Sequence, residues 1–260
     1  ANLFFSHAAF YSIRGRRAFE SEPDISVHNV WWKHFGLLGD YTRRACWAMT
    51  DGSHICDVAV LTDENSIGWK AAAELLTSQV DFVYIDGDAF ARGSSRDGVL
   101  SVGPHEFRVV VVDADYTLSA ADEKALAAYE SAGGASVREW DEGVLGVKVR
   151  GLHDPDVTWD GSSDLRVRHY QKDNAEWYLL VNEGEETIGG AITFRAQGDL
   201  ESWDPLTGDA RPWGAVAEGS GVTTCVQLHR RESVLLRVGD GEPSVDTPLV
   251  VVPGDVVLTL

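Results

Sequence analysis

The sequence predicts two fold classes in succession, α/β and then all-β, behind a short opening segment of different character. Three observations carry this. From Ser53 to Arg150 short β-branched runs alternate with helical stretches; beyond Asp164 the helical stretches cease and apolar runs recur between turn residues; and the opening fifty residues are basic and aromatic in an otherwise acidic chain. Alternating β and α elements call for a parallel sheet covered by helices, and regularly spaced short strands call for an antiparallel β-sandwich.

The opening segment begins with Leu3-Phe4-Phe5 and runs on through Ser6-His7-Ala8-Ala9-Phe10-Tyr11, which suits a buried strand passing into a loop. Residues 12–29 are charged and aperiodic, with Gly15 and Pro23 as breakers, and read as a long loop. Apolar positions at 31, 35, 38, 41 and 45–49 then follow helical spacing, and Asp51-Gly52 ends the helix.

The next elements are expected as strand 57–61, helix 67–77, strand 81–85, strand 107–112, helix 120–132 and strand 135–139. The run Phe107-Arg108-Val109-Val110-Val111-Val112 has the unbroken β-branched character of a strand covered on both faces. Ser119 stands as an N-cap with Asp122 three residues on, and Gly133-Gly134 closes that helix. The polar stretch 91–106, with Asp97-Gly98 and Gly103-Pro104, reads as a small hairpin, and the Asp-, Gly- and Ser-rich stretch 151–164 as a linker. Strands are expected at 165–171, 176–182, 187–195, 200–203, 221–228, 233–238 and 248–260. The organisation expected is therefore three parts, 1–52, 53–152 and 153–260.

Charge excludes one class of partner. The chain carries 22 Lys and Arg against 41 Asp and Glu, a net charge of −19. Phosphate binding needs a Lys/Arg surface, so a nucleic-acid partner is not expected. No apolar run approaches the roughly 20 residues that span a bilayer, so no membrane partner is expected either. No signal peptide is visible, and the compartment is left open. Cys46, Cys56 and Cys225 are too widely spaced for a zinc pattern or a disulfide framework and are expected as buried free thiols.

No Walker loop, dinucleotide glycine fingerprint, Gly-x-Ser-x-Gly elbow or His-Glu-x-x-His motif occurs, so no cofactor is predicted. Asp63 and Asp113 stand at strand ends where α/β folds place ligands, without a nucleotide signature around them. The candidate binding residues are His7, Tyr11, Arg14, Trp31 and Trp32. Sugar rings present apolar C–H faces and a rim of hydroxyls, which aromatic platforms beside His and Arg can match. Glu20, Glu22 and Asp24 lie close together on the expected loop, with nothing to separate their pKa values as acid–base chemistry on a glycosidic bond requires. They are read as solvated loop charges, so no catalytic residue and no metal ligand is assigned.

The runs His7-Ala8-Ala9-Phe10-Tyr11-Ser12-Ile13-Arg14-Gly15, Trp31-Trp32-Lys33-His34-Phe35, Asp40-Tyr41-Thr42-Arg43-Arg44 and Gly52-Ser53-His54-Ile55-Cys56-Asp57 resemble large bacterial α-L-rhamnosidase-like glycoside hydrolases. The resemblance implies that residues 1–52 are the last strand, loop and helix of a catalytic (β/α)8 barrel. Phe82-Val83-Tyr84-Ile85-Asp86-Gly87-Asp88-Ala89 is similar to that family's flavodoxin-like accessory domain. Leu180-Val181-Asn182-Glu183 and Trp203-Asp204-Pro205-Leu206-Thr207-Gly208 look like the β-sandwich that follows it.

By the same resemblance, His7, Tyr11 and Arg14 sit at the mouth of the last barrel strand, while the catalytic carboxylates belong to earlier strands that the chain lacks. The implied partners are a rhamnose-containing glycan and the rest of the barrel; calcium is the one metal the resemblance allows, in the parent enzyme. Two other readings stand beside it. One is a non-catalytic carbohydrate-binding or assembly module acting with a separate catalytic chain; the other is a flavodoxin-type sensor.

Overall fold

The computed structural model describes residues 3, 4, 10, 12, 14–16 and 24–239. The expected opening strand and the expected strand 248–260 fall largely or wholly outside these residues, as do His7, Tyr11, Glu20 and Glu22. The chain divides into two compact units, one of residues 1–52 with 203–210 and one of residues 53–202 with 211–260. No helix among the described residues is long and apolar enough to cross a membrane.

In the first unit, a 3-10 turn at Trp32–His34 leads into α1 (Phe35–Ala48). The helix ends where the Thr50 hydroxyl donates to the Cys46 carbonyl at 2.7 Å and Asp51 turns to a positive φ of 61°. Segment 203–210 is a tight turn organised by Asp204. Its carboxylate accepts from the Leu206 amide at 2.7 Å and the Thr207 hydroxyl at 3.0 Å, and its carbonyl accepts from the Gly208 amide at 2.7 Å. Pro205 supplies the fixed φ the turn needs, and Gly208, at φ +86°, supplies the left-handed residue. The Arg44 guanidinium donates to the Pro205 and Leu206 carbonyls at 3.1 and 2.8 Å, and Trp47 stacks on Trp203. The Trp-Asp-Pro turn thereby anchors α1.

In the second unit, β2 (Val58–Leu61), β3 (Phe82–Ile85), β7 (Val109–Val112) and β8 (Ala135–Val137) form a parallel sheet in the spatial order β3-β2-β7-β8. Period-two alternation divides its side chains between two cores. Ala59, Leu61, Val110 and Val112 meet Phe90 of α3 (Gly87–Arg92) and Leu126 and Tyr129 of α4 (Ala120–Ser131). Val58, Val60, Val109 and Val111 meet Ala71 and Leu75 of α2 (Lys70–Thr77) and Leu145 and Val149 of α5 (Leu145–Leu152). Covering on both faces explains why the four valines of β7 are uninterrupted. At the start of α4, Ser119 and Asp122 form a reciprocal capping box.

Three local expectations are corrected. The stretch 91–106 is no single hairpin: it enters a three-stranded meander of β4 (Ser94–Arg96), β5 (Val99–Val102) and β6 (His105–Phe107). The expected strand 107–112 is broken at Arg108, because Phe107 closes the meander while the amides of Arg108 and Val109 both turn to the Asp57 carbonyl. The expected linker 151–164 holds the end of α5 and a strand, β9 (Val157–Trp159). Pairing of β9 with β12 (Ile188–Phe194) and burial of Val157 override its polar composition.

The remaining strands form two antiparallel sheets. One runs β1 (Ser53–His54), β10 (Leu165–Lys172), β11 (Ala175–Asn182), β17 (Ser233–Gly239), β13 (Asp199–Trp203), β14 (Ala210–Pro212); the other runs β15 (Val216–Glu218), β16 (Gly221–Leu228), β12, β9. Tyr178, Leu180 and Leu236 from the first and Ile192, Phe194 and Val226 from the second share one core. Asp173 and Asn174, both at positive φ, make the two-residue turn between β10 and β11. The chain therefore carries an α/β part and a β part. β1, lying on the edge beside β10, brings residues 53–57 from the antiparallel sheet directly into the parallel one.

Candidate functional site

Of the five residues singled out in the sequence, the structure describes three. Trp31 and Trp32 are 37% and 39% exposed, and each stacks on Phe35, with ring centroids 6.2 and 4.9 Å apart. They make one aromatic ledge at the head of α1. Arg14 is exposed, and its backbone amide donates to the Ser12 hydroxyl at 3.2 Å; the described contacts do not join it to either tryptophan. His7 and Tyr11 lie outside the described residues. Asp24 is a local clasp: its carboxylate accepts from the Ser26 hydroxyl at 2.7 Å and from the Ser26 and Phe10 amides. A carboxylate so engaged organises its turn and does not resemble a poised acid or nucleophile.

The strand-end aspartates of the parallel sheet are also structural. Asp113 is buried and accepts from the Thr62 hydroxyl and the Gly68 amide, each at 3.0 Å. A Cβ on Gly68 would lie 2.3 Å from the Asp113 carboxylate. Gly68→Ala should therefore cost about 2 kcal/mol, read as a lower urea midpoint. Around the adjoining cleft of about 460 Å³ stand Asp63, Glu64, Asp86, Asp88 and Asp122 against one arginine, Arg92. Asp86 is spent as the N-cap of α3, accepting from the Ala89 amide at 2.6 Å. An acidic rim of this kind repels a phosphate group.

A second group, unnoticed in the sequence, gathers where β1 passes into β2. A cleft of about 540 Å³ is lined by residues 53–57, Pro104, His105, Glu106, Arg108, His153 and Arg195. Asp57 is its hub. One carboxylate oxygen accepts from Arg195 at 2.5 Å and lies 3.2 Å from His153; the other lies 3.5 Å from Arg108. Arg195 also reaches the His153 ring at 2.9 Å and the Asp154 carbonyl at 3.0 Å. Burial disfavours the Arg195 charge, but the Asp57 hydrogen bond outweighs it and raises the guanidinium pKa. His54 pairs with Asp81 at 2.6 Å and meets His105 edge-on. Burial first, and then the neighbouring His54, lower the His105 pKa, while a hydrogen bond to the His54 backbone opposes them.

Beside it, His169 is held between Asp156 and Glu176, each at 2.8 Å. Both ring nitrogens are engaged and the residue is buried, so no nitrogen is left to exchange a proton with a substrate. Among the described residues, no group of three or more His, Cys, Asp or Glu side chains is arranged to hold a metal ion. The three cysteines are free; Cys56 and Cys225 are buried as expected but Cys46, on α1, is only half-buried, and burial pushes the Cys56 thiol up to about 12.

No family model and no curated protein sequence matches the chain. Solved structures do, and they define a class of fold: the chain is similar in fold to parts of a rhamnosidase and of a fucosidase chain. A rhamnosidase from Novosphingobium sp. PP1Y superposes with a TM-score of 0.70 at 15% identity, over 88% of this chain and 26% of that one. Alpha-L-fucosidase isoenzyme 2 from Paenibacillus thiaminolyticus gives a TM-score of 0.55 at 10% identity, over 78% of this chain and 51% of that one. At such identities the likeness is one of fold. The chain spans about a quarter of the rhamnosidase and about half of the fucosidase.

Proposed function

We propose that the chain is the accessory and substrate-wall portion of an α-L-rhamnosidase-like glycoside hydrolase. In this reading residues 1–52 close a (β/α)8 barrel, 53–152 form a flavodoxin-like domain and 153–260 a β-sandwich. His7, Tyr11, Arg14, Trp31 and Trp32 contact a rhamnose-containing glycan, and the general acid and second carboxylate come from barrel strands outside the chain.

The observation that carries the reading is the state of α1. It is 14 residues long, yet Ala48 is its one buried residue, while Leu37, Leu38 and Tyr41 are 66%, 43% and 37% exposed. An apolar stripe left in water at this scale is the mark of a missing neighbour. The rhamnosidase-like fold supports a barrel as that neighbour.

The chain alone should hydrolyse no nitrophenyl α-L-rhamnoside above background, and adding the barrel portion should restore turnover. In the assembled enzyme Trp32→Ala should raise KM about tenfold, the scale of a lost aromatic platform. Turnover by the chain alone would overturn the proposal. A defined complex with a barrel chain encoded separately would favour the assembly-module reading instead.

A further inference from the structure

We infer that the cleft around Asp57 binds a sugar acid, with Arg108 taking its carboxylate. The chain is strongly acidic, yet in this cleft two arginines, Arg108 and Arg195, balance Asp57 and Glu106, with the rings of His54, His105 and His153 around them. These groups come from separate elements, so the clustering is a product of the fold.

Asp57 does not cancel the two arginines equally. Arg195 is fixed by three short contacts, to Asp57, His153 and the Asp154 carbonyl, and is 32% exposed. Arg108 is 46% exposed and has a single partner among the described residues, Asp57, at the long distance of 3.5 Å. Its guanidinium keeps most of its donors available, and a planar fork of donors is the group that best matches a carboxylate. The hub carboxylate and Arg195 hold the wall in place while Arg108 presents the open charge.

The rest of the lining selects for hydroxyls. Glu106 accepts hydrogen bonds, and the His105 ring adds a polar nitrogen beside it. A bare oxyanion has no use for Glu106 and is repelled by it; a ring of hydroxyls can donate to it. The volume of about 540 Å³ suits one or two sugar units. The anion half of the assignment rests on the arginines alone, whereas the sugar half rests on the carbohydrate reading above.

The test is a titration of the full chain with glucuronate, followed by calorimetry and by the ring C–H resonances of His54 and His105, with glucose and sulfate as separate arms. Saturable binding of glucuronate is expected, with shifts at both histidines. Arg108→Gln should weaken it about tenfold or more, as loss of a charge-assisted hydrogen bond does. Arg96→Gln, an exposed arginine outside the cleft, should leave it unchanged. Sulfate binding as tightly as glucuronate would overturn the sugar-acid assignment. So would glucose binding equally well, or glucuronate affinity unmoved by Arg108→Gln. Failure of the rhamnosidase-like reading would show instead in the rhamnoside assay, which does not involve this cleft.

Discussion

Asn182→Leu should lower the unfolding free energy by about 3 kcal/mol or more, seen as a large drop in urea midpoint at unchanged slope. Asn182 is completely buried at the end of β11. Its side-chain amide donates to the carbonyls of Glu186, Leu228 and His229 at 2.8, 3.2 and 2.9 Å, and its carbonyl accepts from the Gly184 amide at 2.8 Å. One side chain thus ties the turn after β11 to the end of β16, and so joins the two antiparallel sheets. Leucine fills much the same volume, so packing alone predicts a small effect. The polar account predicts a large one, because three carbonyls and an amide lose a partner together. Asn182→Asp separates the two accounts: at pH 7 a carboxylate would face the same three carbonyls, and its cost should shrink on acidification, when the protonated acid can donate one bond. A leucine variant as stable as the parent chain would sink the argument.

The sequence made some of this legible and hid the rest for physical reasons. Ser119 with Asp122, the valine run of β7 and the Trp-Asp-Pro-Leu-Thr-Gly turn are local devices, fully written in a few neighbouring residues. The positions of β9 and of the break at Arg108 are not local. Val157 becomes a strand residue because β12 lies beside it, and Arg108 leaves the β-branched run because its amide is claimed by the Asp57 carbonyl. The cleft is the extreme case: Asp57 and Arg195 are 138 residues apart, and neither carries a motif. Trp31 and Trp32 were visible because aromatic residues side by side are rare. Their stacking on Phe35 follows from the four- and three-residue spacing of a helical turn.

Raising the pH from 6.5 to 9.5 should remove about 3 kcal/mol of stability that depends on His169. Burial opposes charge on this ring, but hydrogen bonds to Asp156 and Glu176 overcome it and lift its pKa to about 9. The imidazolium also lies flat against Tyr178, at 4.1 Å between ring centroids, where the aromatic face favours a cation. Because the folded-state pKa is raised above the unfolded value of about 6.5, the contribution is fully present below pH 6.5 and is lost as the pH climbs through about 9. Glu176 behaves in the opposite sense. Its hydrogen bond to His169 holds its carboxyl below the ordinary value, so its share is present above that value and is lost in acid. Stability from this cluster should therefore peak between about pH 4.5 and pH 6.5. His169→Gln supplies the check, because glutamine keeps a hydrogen bond but cannot carry the charge. Urea curves from pH 6 to pH 9.5 should show the variant well below the parent chain at the acid end and the two converging at the alkaline end. Parallel curves across that window would mean that the charge on His169 does not hold β10 and β11 against the β9 segment.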